Sequence, residues 1–349
     1  MNDTTMAPHE RMHPNMTQTP QPGHNDKKSQ VQDYFSRTAE SYVGSFSHRA
    51  GDDLQRLIEL GEWNPHLQAL DIATGGGHTA LAVAPYVAQV TVTDLTPRML
   101  EKAREYILTQ GVTNARFQVA DAEQLPFAPE SFDRVTCRIA PHHFPNIPQF
   151  VQEVARVLIP GGIFLLIDCM APGDPVLDEF DNIVEKWRDP SHGRSCTAEE
   201  WQTFFQEAGL SIEYIEFFRK THEYDDWTAR SQMSPNEKAQ LAQFILKSDD
   251  RIQSYFEITR KQDGQLASFT NDFILLKGRQ ISPWNGSSAS SPISHIKKQR
   301  LCDDHYDEQG AGSVAVVDIK RAITRVHPYH ATYRSVRLVH SRGDGLSSP

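Results

Sequence analysis

The chain has 349 residues, 38% hydrophobic and 23% charged, enough for one large domain or two ordinary ones around a real core. A formal net charge of −10 argues against broad binding to nucleic-acid phosphates, which needs a basic face. No apolar run is long enough for a membrane span, and the first 28 residues lack the apolar centre of a secretory signal. Four cysteines, Cys137, Cys169, Cys196 and Cys302, form no C-x-x-C pair. They read as reduced thiols of a cytoplasmic protein, and their spacing predicts no metal site.

Residues 1–29 are rich in Pro, His, Asn, Thr and Gln without periodicity, so a disordered arm is expected there and order from about Val31. Short apolar strands are predicted at 69–72, 90–94, 116–120, 134–137 and 163–168, alternating with helices at 79–87, 97–110 and 147–158. Thr96-Pro97 is an N-cap followed by Pro at the first helical position, and Gly111 and Pro160-Gly161-Gly162 are stop signals. Alternation at this spacing means crossover units and an α/β, doubly wound, mostly parallel sheet.

Further helices are expected at 176–188, 197–208 and 235–247, and two strands at 211–218 and 269–277. The strands would complete the sheet as a hairpin-like pair, and the helices within 176–260 would form a cap over its edge. Residues 30–280 thus read as one domain. A Ser/Pro/Gly linker opens the segment 281–349, which is expected to be largely disordered.

The segment Asp71-Ile72-Ala73-Thr74-Gly75-Gly76-Gly77 runs from a strand through glycines into a helix, the pattern of a nucleotide site. Gly75-x-Gly77-x-x-Ala80 also fits the dinucleotide fingerprint, so an NAD(P)-dependent oxidoreductase competes on spacing alone. Charge separates the two. A pyrophosphate about 4 Å from the Asp71 carboxylate would be repelled by ~4 kcal/mol at an effective dielectric near 20. No Lys or Arg between Asp71 and Pro97 offsets that. S-adenosylmethionine (SAM), with its sulfonium and ammonium, suits an acidic loop. Asp94 can accept from both ribose hydroxyls and Asp121 from the adenine amino group. With Asp168, four strands end in Asp on the edge where open α/β sheets bind ligands; a lone Asp there would read as a turn residue or cap.

These residues resemble the class I SAM-dependent methyltransferases, in the branch of the ubiquinone/menaquinone-biosynthesis C-methyltransferases, over about residues 31–279. The glycine loop is similar to that family's first motif. Thr93-Asp94-Leu95-Thr96-Pro97-Arg98-Met99-Leu100 is similar to its ribose motif, and Asp121-Ala122-Glu123-Gln124-Leu125-Pro126-Phe127 to its adenine motif. Phe132-Asp133-Arg134-Val135 and Arg156-Val157-Leu158-Ile159-Pro160-Gly161-Gly162 are similar to the fourth strand and the turn before the fifth. The resemblance implies a Rossmann-like seven-stranded sheet with its last strand antiparallel, and SAM across the strand ends. Asp71, Ala73, Thr74, Gly75, Gly77, Asp94, Leu95, Asp121, Ala122, Arg138 and Tyr42 are the expected cofactor-binding set. Ala73 replaces the family's first glycine, and it can serve if its φ is negative.

Methyl transfer needs alignment and exclusion of water, and a base only where the nucleophile must lose a proton. His142 and His143, after the fourth strand, are candidate bases; otherwise they shape that loop. Tyr34-Phe35-Ser36-Arg37-Thr38-Ala39-Glu40-Ser41-Tyr42 resembles the family's lid helix, with Phe35 walling off water. His192 and Arg194, in the cap region, are candidate contacts to an anionic or polar substrate, or parts of a loop that positions the helix after Thr197. Trp227 and Arg230 are candidates for the same cleft. The expected function is methylation of a small-molecule acceptor with SAM. A non-catalytic SAM-binding module is a further alternative beside the dehydrogenase.

Overall fold

A computed structural model describes residues 24–43, 51–231, 233–281 and 334–337. Its centre is a parallel sheet of β1 (Gln68–Ile72), β2 (Gln89–Asp94), β3 (Ala115–Val119), β4 (Phe132–Arg138) and β5 (Leu158–Met170). β5 shows why these runs are nearly all apolar. Its stretch from Ile163 to Ile167 is fully buried, as a strand covered on both faces must be. Beyond β5 come β6 (Leu210–Glu223), the two-residue β7 (Thr259–Arg260) and β8 (Leu266–Gln280). β8 lies antiparallel between β5 and β6, so the seven main strands run β3-β2-β1-β4-β5-β8-β6. This is the expected architecture with its last strand reversed. β7 pairs with β8, and a strand from the C-terminal segment, β9 (Arg334–Arg337), pairs with the edge strand β6. The expected linker at 282–294, residues 295–333 and 338–349 of the tail, and residues 1–23 of the arm lie outside the described residues.

Ten α-helices are described: α1 (His24–Val43), α2 (Asp52–Leu60), α3 (His78–Val83), α4 (Pro97–Thr109), α5 (Ile147–Val157), α6 (Pro175–Arg188), α7 (Ala198–Glu207), α8 (Tyr224–Ala229), α9 (Pro235–Leu246) and α10 (Asp250–Tyr255). On one face of the sheet, Phe150 of α5 and Trp201 and Phe205 of α7 pack against Leu70, Phe164 and Leu166. On the other, Ala80, Val83, Leu100 and Ile107 of α3 and α4 cover β1 and β2, and Leu57 of α2 meets Ile163, Leu165 and Ile167. Helices on both faces make the sheet doubly wound. A separate cluster builds the cap: Leu177 and Phe180 of α6, Trp227 of α8, Leu241 and Ile245 of α9, and Phe256.

Three of the differences from expectation bear on how the domain is assembled. α1 begins at His24, inside the expected arm, because it is tied to the domain: Lys28 Nζ pairs with Asp121 and Glu123, each at 2.6 Å, and Gln32 Nε2 donates to Leu95 O at 2.8 Å. The helix expected at 79–87 stops at Val83 and tightens into a 3₁₀ turn, Ala84–Tyr86, because Pro85 has no N–H to continue the ladder. α7 belongs to the main core rather than the cap, through Trp201 and Phe205.

Candidate active site

The ends of β1, β2, β4 and β5 open into one cavity, closed from one side by α1 and from the other by the cap. Ala73, Thr74, Gly75, Asp94, Leu95, Asp121, Ala122, Arg138, His142 and His143 all line it. Asp71 and Gly77 do not, and their roles are beneath the loop. Asp71 is buried, its carboxylate accepting from Thr136 Oγ1 and Thr74 Oγ1, each at 2.6 Å. It therefore holds the loop's shape instead of facing a ligand. Burial pushes its pKa up to about 6, against the pull of those two hydroxyls. Gly77, at φ +83, caps α3, and a Cβ there would stand 3.0 Å from Ile107 Cδ1 and 3.2 Å from Ala103 Cβ. Its smallness lets α3 meet α4. Gly75, at φ +54, lines the cavity, and a Cβ there would meet only Met99 Cε, at 3.8 Å.

Ala73 corrects the condition set by the sequence, for its φ is +52, in the left-handed region. That conformation costs an L-residue roughly 1–2 kcal/mol. Ala73→Gly is therefore expected to stabilise the protein by roughly 0.5 kcal/mol, after the added unfolded-state entropy of glycine is deducted. A thermal melt of the two proteins checks it, and a lower Tm for the variant would refute the strain. Ile139, also on the cavity wall, has φ +54. Two strained non-glycine residues at one cavity are typical of a functional site.

Asp94 is buried at the end of β2. Its Oδ2 accepts from Gly75 N at 3.1 Å and its Oδ1 from Thr96 N at 2.8 Å. Burial pushes its pKa up to about 6, and the two backbone bonds work the other way. Asp121 follows β3 and Glu123 lies beside it, both bridged by Lys28. Sequence reading missed Lys28 because it lies in the segment taken for a disordered arm. Tyr42 lies on α1, but its side chain is outside the described residues. Phe35, on the same helix, meets the His143 ring edge-on, with centroids 4.9 Å apart.

The positive φ of Ile139 turns the chain off β4 into a 3₁₀ turn, Pro141–His143, which brings His142 over the end of β5. Asp168 grips it twice, accepting from His142 N at 2.9 Å and pairing with Nδ1 at 2.7 Å. A carboxylate only accepts, so Nδ1 carries the proton and Nε2 is the basic nitrogen. Burial disfavours the charged ring, but Asp168 outweighs it and holds the pKa above the ordinary value. His143 goes the other way, down to about 3, through burial and its neighbour His142. Its Nδ1 lies 3.2 Å from Ser191 Oγ. Cys169 also faces the cavity. With His142 and Asp168 it offers ligand atoms within 4.8 Å of one another, a grouping invisible in the cysteine spacing. Burial and Asp168 push its thiol well up, so it stays protonated.

His192 and Arg194 do not line the cavity. Arg194 is occupied outside it by Asp178 and Glu200, each at 3.0 Å. His192 is buried behind His142, ring centroids 5.4 Å apart, with Nε2 3.1 Å from Asn182 Oδ1. Their loop buttresses the turn: Gly193 N and Arg194 N donate to His142 O at 2.7 and 3.1 Å. A Cβ at Gly193 would stand 2.9 Å from that oxygen. The wall on that side is instead formed by Glu185, Arg188, Trp227 and Arg230 of the cap and by Lys220, His222 and Phe273 of β6 and β8.

Acidic strand ends around a glycine loop at the edge of this sheet define a class I, SAM-dependent methyltransferase, and the chain belongs to that family. A methyltransferase domain matches residues 70–166. Within the family, the chain is 41% identical over 244 residues to the uncharacterized methyltransferase YcgJ of Bacillus subtilis (strain 168), a match covering 70% of this chain and 96% of YcgJ. The crystal structure of YcgJ superposes with a TM-score of 0.65 at 40% identity, over 67% of this chain and all of that one. The ubiquinone/menaquinone biosynthesis C-methyltransferase UbiE of Brucella canis is 32% identical over 173 residues, 47% of this chain and 63% of UbiE. The dinucleotide reading of the loop gives way, and SAM is the cofactor. The residues present fit it: an unobstructed glycine at Gly75, and carboxylates at Asp94 and Asp121 for hydroxyl and amino donors.

Proposed function

We propose that the chain methylates a small-molecule acceptor held between the His142–Asp168 pair and the cap, with His142 as general base. The observation that carries this is the buried dyad. Its basic nitrogen belongs to a ring on the wall of the cavity that also contains Gly75, Asp94 and Asp121. Asp94 would hold the ribose, Asp121 and the neighbouring Leu95 and Ala122 the adenine, and the loop from Ala73 to Gly75 the methionine portion. Arg138, fixed by Asp53 at 2.7 Å, would serve the methionine carboxylate.

Bound SAM supplies a methyl carbon already activated by its sulfonium. The chain's own task is then alignment, dryness and proton removal. His142 Nε2 accepts the acceptor's proton as its nucleophile attacks, and Asp168 stabilises the resulting imidazolium while keeping the ring in one tautomer. His143 remains neutral and, with Phe35, closes the cavity against water. UbiE, named for C-methylation, matches this chain over only 63% of its own length, so its acceptor chemistry does not carry over. A cell extract incubated with the protein and methyl-labelled SAM tests the acceptor class. Label is expected in the low-molecular-weight fraction, and label retained on protein or nucleic acid would overturn the proposal.

A further inference from the structure

The cavity is electrically divided. On the adenosine side, Asp94, Asp121 and Glu123 face it with Lys28. The opposite wall, from α6, β6, the end of α8 and β8, carries Arg188, Lys220 and Arg230. Glu185 is the one carboxylate among the described residues that line it there. The counter-charges behind this wall are shared. Asp53 serves both Arg138, at 2.7 Å, and Lys220, at 3.1 Å, while Arg188 lies 3.2 Å from Glu185. Asp189, which follows α6, accepts from Ser191 N at 2.8 Å and does not line the cavity.

The same wall is aromatic. Lys220 Nζ sits 4.5 Å from the Phe273 ring centroid and the Arg188 guanidinium carbon 4.8 Å from that of Trp227. Between them stands His222, whose Nε2 lies 2.9 Å from Asn271 Oδ1 and whose ring is 5.4 Å from Phe269. Burial and then the three cations Arg230, Arg188 and Lys220 push the His222 pKa down to about 3. His222 is thus a neutral ring on which three cations from different elements converge.

Resting on the methyltransferase reading above, we infer that this wall is the acceptor subsite, and that it takes a planar, ring-bearing carboxylate. Its ring packs among Trp227, His222 and Phe273, and its carboxylate is met by Arg230 and Lys220. A carboxylate in a partly dry cavity forms charge-assisted bonds that a neutral isostere cannot, and a ligand cation is repelled. The wall thereby sorts acceptors by charge before any chemistry occurs.

Calorimetric titration of the full chain, presaturated with S-adenosylhomocysteine so that the cofactor's own carboxylate site is filled, tests this. The probes are 2-naphthoate, its neutral isostere 2-naphthamide, and 2-naphthylmethylammonium. Naphthoate is expected to bind at least about tenfold more tightly than the amide, and the ammonium not measurably. Arg230→Gln should weaken naphthoate by about tenfold and leave the amide and S-adenosylhomocysteine unchanged; Lys220→Gln, whose partner Asp53 also fixes Arg138, should weaken naphthoate likewise. Equal binding of naphthoate and amide in the wild type overturns the inference, whether or not the variants fold. So does an Arg230→Gln variant that weakens S-adenosylhomocysteine instead, since that cation would then serve the cofactor. Failure of S-adenosylhomocysteine to bind the wild type overturns the cofactor reading itself, a result distinct from binding without anion preference.

Discussion

Replacing His142 with alanine is expected to lower kcat by about 10²–10⁴-fold, the usual contribution of a positioned base. The KM for SAM should move little. The base works only when neutral, so the wild-type rate should rise with pH through the pKa of His142. Asp168 holds that pKa above its ordinary value, so the acid limb should lie above pH 6.5. Asp168→Asn separates positioning from bulk. The amide removes the charge that raises the pKa and can present the wrong tautomer, so the acid limb should shift down while kcat falls. His143→Ala should leave the limb in place, because a ring with a pKa of about 3 is neutral throughout the range. A pH–rate profile that is the same in His142→Ala and wild type would remove the base from the mechanism. His142 and His143 would then be wall residues only.

The two histidines also mark the limit of what could be read from the chain. Their place after the fourth strand was legible, because a strand ending at Cys137 or Arg138 must deliver its loop to the ligand edge. Which one titrates was not, because that depends on Asp168, 26 positions away, and on the neighbours each ring meets. The parallel core was legible for a simple reason: strands buried on both faces are unbroken apolar runs, and Pro97, Gly111 and Gly161 punctuate the helices between them. Asp71 was singled out as a cofactor contact, but its side chain does not line the cavity. Spacing shows that a carboxylate ends β1, whereas the hydroxyls of Thr74 and Thr136 decide that it turns beneath the loop. The arm's composition concealed α1, whose hold on the domain comes from the long-range partners Asp121, Glu123 and Leu95. Arg194 was plausible as a substrate contact by type, but Asp178 and Glu200 hold it outside the cavity.

Asp94→Ala is expected to weaken S-adenosylhomocysteine binding by about 100-fold or more. Two charge-assisted bonds to ribose hydroxyls, at about 1.5 kcal/mol each, already account for that factor. The substitution also frees Gly75 N and Thr96 N, so the loop loses its anchor to β2 as well. Wild-type affinity should itself fall as the pH drops below about 6, where Asp94 and Asp71 take up protons. Stability follows the opposite sign. The folded-state pKa values lie above the ordinary carboxylate value of 3.8, so between about pH 4 and 6 the folded protein holds protons that the unfolded chain has released. The contribution of these two groups therefore decreases as pH rises through that window, the cost of ionising buried carboxylates. The ligand's donors favour the ionised form of Asp94 and recover part of that loss. Thermal melts with and without S-adenosylhomocysteine should accordingly show a Tm gap that widens from about pH 5 to about pH 7. In Asp94→Ala the gap should be small and flatter with pH. A wild-type gap that does not change with pH would mean that Asp94 does not carry the cofactor's hydroxyls, whatever its effect on the loop.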